Sequence, residues 1–66
     1  MSRPIHSVKV KQTPHGNFRV YFFTQEASGR SYGGSIISVE QSVERAVERQ
    51  NHEARIRGLT IIPFRG

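Results

Sequence analysis

Sixty-six residues with ten Lys or Arg against five Asp or Glu, a formal charge of +5 and no cysteine describe a basic chain the length of one small domain, with no disulfide framework and no cysteine-based zinc site. The N-terminal Met-Ser-Arg-Pro leads into alternating polar and apolar residues, not into the apolar run of a secretory leader or membrane span. A cytoplasmic protein of one domain over residues 1–66 is expected, with a thin stability margin, because a chain this short buries only about 60% of the surface its unfolded form exposes.

Ile5 to Lys11 alternates as a half-buried strand, with His6, Val8 and Val10 on one face and Ser7, Lys9 and Lys11 on the other. Thr13-Pro14-His15-Gly16-Asn17 is a turn by composition, since proline presets its own φ and Gly or Asn tolerates positive φ. Phe18 to Thr24 is the strongest strand: Phe18, Val20 and Phe22 share one face and form the apolar set, while Arg19, Tyr21 and Phe23 share the other. Ser28-Gly29 then turns the chain into a third strand from about Ser31 to Ile37. Its adjacent Gly33 and Gly34 mark a bulge, a bend, or a close approach to the backbone. A register shift there would let an outward Tyr32 coexist with an inward isoleucine further on.

Ser38 to Gly58 carries the signature of one long amphipathic helix. Ser38 and Gln41 have capping-box spacing, Arg55 and Arg57 suit the carbonyl end, and Gly58 suits a left-handed stop. At about 100° per residue, Val39, Val43, Ala46, Val47, Gln50 and Ala54 fall on one face. Gln50 is anomalous there and is expected either beyond the sheet edge or hydrogen-bonded to a strand end. Glu40, Glu44 and Glu48 form an acidic stripe on one flank, and Gln41, Arg45, Arg49 and His52 a polar to basic stripe on the other, and all four helix glutamates, Glu53 included, are expected in a regular solvated pattern. Leu59 to Phe64 supplies a last short strand, limited by Pro63 to an edge.

The order strand, strand, strand, helix, strand predicts an α+β two-layer domain, an antiparallel sheet of three to four strands packed on one helix with its other face open. Between Ser38 and Gly58 four arginines and four glutamates cancel. Outside that segment Arg3, Lys9, Lys11, Arg19, Arg30 and Arg65 are opposed by Glu26 alone, so the excess charge lies off the helix and favours a polyanionic partner. If the helix takes Phe18, Val20 and Phe22, the pleat turns Arg19, Tyr21 and Phe23 outward beside Lys9 and Lys11, with Arg30 and Tyr32 joining them. Cations among aromatic rings can meet phosphates by charge and bases by stacking.

The segment Phe18-Arg19-Val20-Tyr21-Phe22, the Gly29-Arg30 turn, and Ser31-Tyr32-Gly33-Gly34 leading through Ser38 to Val43, Ala46 and Val47 resembles the three-stranded-sheet-plus-helix DNA-binding domains of AP2-type factors and of the arm-binding region of phage-type integrases. Those families lay the sheet in the major groove. The resemblance implies base and phosphate contacts at Arg19, Tyr21, Arg30 and Tyr32. The reading of the residues is a non-enzymatic module that binds nucleic acid, DNA before RNA, through Lys9, Lys11, Arg19, Tyr21, Phe23, Arg30 and Tyr32. Neither a catalytic nor a metal site is expected, nor a cofactor: His6, His15 and His52 lie apart in sequence and no nucleophile or phosphate-loop motif occurs. The alternative is a small interaction protein of the phage or mobile-element kind that binds or inhibits a host protein by an acidic surface, or forms a homodimer, through the same aromatic and basic face.

Overall fold

A computed structural model describes residues 3–65; Met1 and Ser2, the start of the Met-Ser-Arg-Pro segment read above, and Gly66 lie outside the described residues. The chain runs β1 (Ile5–Gln12), β2 (Phe18–Gln25), β3 (Ser31–Glu40), α1 (Val43–Arg57) and β4 (Thr60–Ile61). The sheet has the order β3-β2-β1-β4. It is the expected α+β arrangement, with α1 laid over one face. β1 pairs antiparallel with β2 from Ile5↔Gln25 to Gln12↔Phe18, so the alternation of both strands puts Val8, Val10 and Val20 on the same side. There they are buried with Ala46 and Ala54 of α1, and Phe18, Ile37, Leu59 and Phe64 pack around them. The Phe64 ring meets Phe18 edge-on at 5.6 Å. Among the described residues no helix is long and apolar enough to cross a membrane.

Three expectations are corrected. First, the helix is capped by Ser42, whose Oγ accepts from the Arg45 amide at 3.3 Å, and not by Ser38. Ser38, Val39 and Glu40 instead continue β3, opposite Val20, Arg19 and Phe18. A helix starting at Ser38 would strip the first half of β2 of its partner, and the pairing outweighs the capping box. Val39 therefore leaves the helix face, and Glu40 leaves the acidic stripe.

Second, the sheet is mixed: β4 is two residues long and pairs parallel with β1, Ser7↔Thr60 and Val8↔Ile61. The strand is shorter than Leu59 to Phe64 because Pro63 cannot donate to the ladder and because Leu59 and Phe64 turn into the core. Its direction follows from the path of the chain. β3 runs parallel to β1, the helix returns over the sheet, and the next strand must again run with β1.

Third, the helix glutamates are not all solvated. Glu53 is buried, held by Arg57 Nε at 3.1 Å and Arg49 Nε at 3.4 Å, each four residues away on the helix. Arg57 also lies over the Phe22 ring at 5.1 Å, so its guanidinium covers the end of the apolar face while it neutralises the carboxylate.

Gln50 resolves in favour of hydrogen bonding. Its side chain is 1% exposed, and Nε2 donates to the carbonyls of Val8 and Ile62, both at 2.7 Å. Gly58 ends the helix at φ +66° with its amide directed at the Ala54 and Arg55 carbonyls. Gly58→Ala should lower stability by about 1 kcal/mol, because a Cβ disfavours this left-handed backbone. A urea midpoint unchanged from wild type would refute that role for the glycine.

Candidate nucleic-acid interface on the open sheet face

With Val8, Val10, Val20 and Phe22 on the helix side, the pleat places Ser7, Lys9 and Lys11 of β1 and Arg19, Tyr21 and Phe23 of β2 on the other side. Register then sets the neighbours: Ser7 is opposite Phe23, Lys9 opposite Tyr21, and Lys11 opposite Arg19. The Tyr21 and Phe23 rings, two residues apart on the same strand, meet edge to face at 6.4 Å and 79°. The Lys9 ammonium sits 4.6 Å from the Phe23 centroid, within the range of a cation–π contact. Partial burial raises the Tyr21 phenol above its ordinary pKa, and the nearby Arg19 offsets part of that rise. The ring therefore stays neutral at physiological pH and leaves the charge of the face to its cations.

β3 borders this face and pairs with β2 irregularly. Phe23 pairs with Gly33 and Tyr21 with Ile36, so three steps on β3 span two on β2; a second shift separates Ile36 from Ser38. A Cβ on Gly33 would stand 3.1 Å from Tyr21 Cε2. The close approach inferred for the glycine pair is thus the Tyr21 ring lying over bare backbone. The two shifts together send Ile36 outward and leave Ile37 to pack on the core.

Lys9, Lys11, Arg19, Tyr21 and Phe23 are brought together as expected. Arg30 and Tyr32 are not. Tyr32 pairs with Thr24, which alternates with Phe22, so its ring belongs to the helix side of the sheet, past the point that Arg57 covers. Arg30 lies 5.8 Å over that ring, and the adjacent His6 Nδ1 and Thr24 Oγ1 are 3.2 Å apart. The outward Tyr32 is corrected for a simple reason: both register shifts come after Gly33, so Tyr32 keeps the regular alternation.

Three apolar residues of the open face were not foreseen. Ile36 and Val39 are 55% and 54% exposed and sit opposite Tyr21 and Arg19. Ile5, also exposed, shares the parity of Ser7 and Lys9. Alternation alone would have found Ile5, whereas the other two required the bulge count. No carboxylate occupies an open-face position of the paired strands: Glu40 is opposite Phe18 on the helix side, and the ion pairs among the described residues both belong to Glu53.

Two concavities differ in character. One of about 390 Å³ lies at the β1–β2 hairpin, lined by Lys11, Gln12, Thr13, Pro14 and Arg19. A more open hollow of about 920 Å³ follows the outer side of α1, where Glu44 and Glu48 alternate with Arg45, Arg49 and His52; its mixed charge favours neither anion nor cation. Among the described residues no group of three or more His, Cys, Asp or Glu is placed to hold a metal ion. Comparison of the chain with protein-family models, with curated proteins and with solved structures finds no match.

Proposed function

We propose that this protein binds nucleic acid, single-stranded DNA in particular, on the open face of its sheet. The observation that carries the reading is that three cations (Lys9, Lys11 and Arg19) and two aromatic rings share a surface free of carboxylates. Rings on such a face offer stacking platforms that a single strand can use and a duplex, with its bases already stacked, cannot. Lys9 occupies the Phe23 ring at 4.6 Å. A base stacking there takes the place of the ammonium, whose flexible stem frees it to meet a phosphate. The AP2-type resemblance shares Arg19 and Tyr21 with this surface but implies a duplex in the major groove, and its other two positions, Tyr32 and the Arg30 that lies over the Tyr32 ring, stand on the other side of the sheet.

Fluorescence anisotropy with a labelled oligothymidylate should show affinity falling with salt at a log–log slope of about −2, as three phosphate contacts on a single strand require. Tyr21→Ala with Phe23→Ala should weaken binding by about tenfold or more while leaving most of that slope. No binding at low salt, or binding indifferent to Lys11→Glu with Arg19→Glu, would end the proposal.

The exposed Ile36 and Val39 favour a second reading, in which the face receives an acidic protein or a second copy of this chain, since aliphatic side chains gain more from another apolar surface than from a base. A wild type that sediments as a dimer and becomes monomeric in the Tyr21→Ala, Phe23→Ala variant would select it.

A further inference from the structure

We infer a phosphate seat at the β1–β2 hairpin, formed by Lys11 and Arg19 with Thr13, which takes a phosphate mono- or diester; the inference rests on the nucleic-acid reading and gives the bound strand a fixed starting point. Lys11 and Arg19 are direct cross-strand partners, and like charges in that position destabilise a sheet. The neighbouring positions bring no relief. Gln12 and Phe18 are uncharged, Lys9 adds another cation two residues along, and the ion pairs among the described residues lie elsewhere, at Glu53. A repulsive pair held in register without a carboxylate is a local cost that an incoming anion removes.

The same two side chains line the hairpin concavity of about 390 Å³, which has room for a phosphate group and part of the sugar it carries. The loop that closes it is braced by its own backbone. The Thr13 amide donates to the Asn17 carbonyl at 2.7 Å, the Gly16 amide donates to the Thr13 carbonyl at 3.0 Å, and Gly16 takes φ +83° to close the turn. Thr13 Oγ1 accepts from the Asn17 amide at 3.1 Å, which directs its own hydrogen to an acceptor. Arg19 offers a planar fork of donors and Lys11 a mobile point charge, so the set combines one orienting cation, one adaptable cation and a hydroxyl. Tyr21 follows Arg19 on the same face, at about 6.6 Å for two residues of strand. A strand whose phosphate is seated at the hairpin therefore presents its next base toward the rings.

The test uses the whole chain and three probes: inorganic phosphate, a 5′-phosphorylated oligothymidylate and the same oligomer with a 5′-hydroxyl. Phosphate titrated at constant ionic strength should give saturable NMR shifts at Lys11, Thr13 and the Arg19 side chain, lost in Lys11→Gln with Arg19→Gln, two exposed substitutions whose fold is checked by circular dichroism. A 5′-phosphate that raises affinity about tenfold identifies a terminal monoester as the ligand. Equal affinity of the two oligomers, both weakened about tenfold by the double variant, identifies an internal diester. The absence of saturable phosphate shifts at these residues, in a protein that still binds both oligomers, overturns the seat but leaves the sheet-face reading standing. Phosphate shifts at the hairpin without oligomer binding would do the reverse.

Discussion

Ala46→Asp should leave the protein largely unfolded at 25 °C. Ala46 is 0% exposed and packs in the cluster of Val8, Val10 and Val20. Burying a carboxylate there costs several kcal/mol, against a total stability of about 3–10 kcal/mol for a chain of this length. Val43→Asp provides the contrast. Val43 lies on the same stripe of the helical wheel, yet it is the first helical residue and half-buried, so its carboxylate meets the positive end of the helix dipole. That variant should stay folded, within about 1 kcal/mol of wild type. An Ala46→Asp protein that melts with the wild-type midpoint would mean that a different face of α1 meets the sheet.

Gln50→Met should lower stability by about 2–4 kcal/mol and loosen β4 before anything else. Methionine keeps the length and flexibility of the side chain but donates nothing, so two hydrogen bonds of 2.7 Å are lost together. The consequences at their ends are unequal. The Val8 carbonyl still accepts the Ile62 amide at 3.2 Å, while the Ile62 carbonyl loses its Gln50 donor. With two residues of β4 in register with β1, the last segment depends on Gln50 for much of its attachment. Hydrogen exchange should show the Ile62 amide losing protection while the β1–β2 amides keep theirs. A variant as stable as wild type, with Ile62 still protected, would show that the glutamine fills space without bracing the edge.

The candidate face was legible to the extent that strand alternation is a local property. Arg19, Tyr21 and Phe23 share a side because they are two residues apart on a regular strand, and Lys9 and Lys11 join them once Val8 and Val10 are assigned to the core. The sides of Tyr32, Ile36 and Val39 were not legible in this way. The side of Tyr32 depends on where the shifts begin, and those of Ile36 and Val39 on how many extra residues β3 places against β2, next to a Gly33 that leaves room for the Tyr21 ring. Spacing marks a glycine pair as irregular without counting the residues that its bulge inserts.

The sequence by itself determined β1, β2, the Thr13–Asn17 turn, the Gly58 stop and the side of the sheet that carries Lys9, Lys11, Arg19, Tyr21 and Phe23. Each of these follows from a period, a cap or a backbone preference contained within a few neighbouring residues. The tertiary structure decided where α1 begins, the parallel placement of β4, the burial of Glu53 between two arginines, the double anchorage of Gln50, and the separation of Arg30 and Tyr32 from the basic face. The physical reason is competition between distant partners. Ser38 can cap a helix or pair with Val20, and the pairing wins because β2 supplies partners for Ser38, Val39 and Glu40 in succession where the capping box offers a pair of hydrogen bonds. Gln50 reads as a flaw in an apolar stripe until the carbonyls of Val8 and Ile62 are brought to it from opposite ends of the chain.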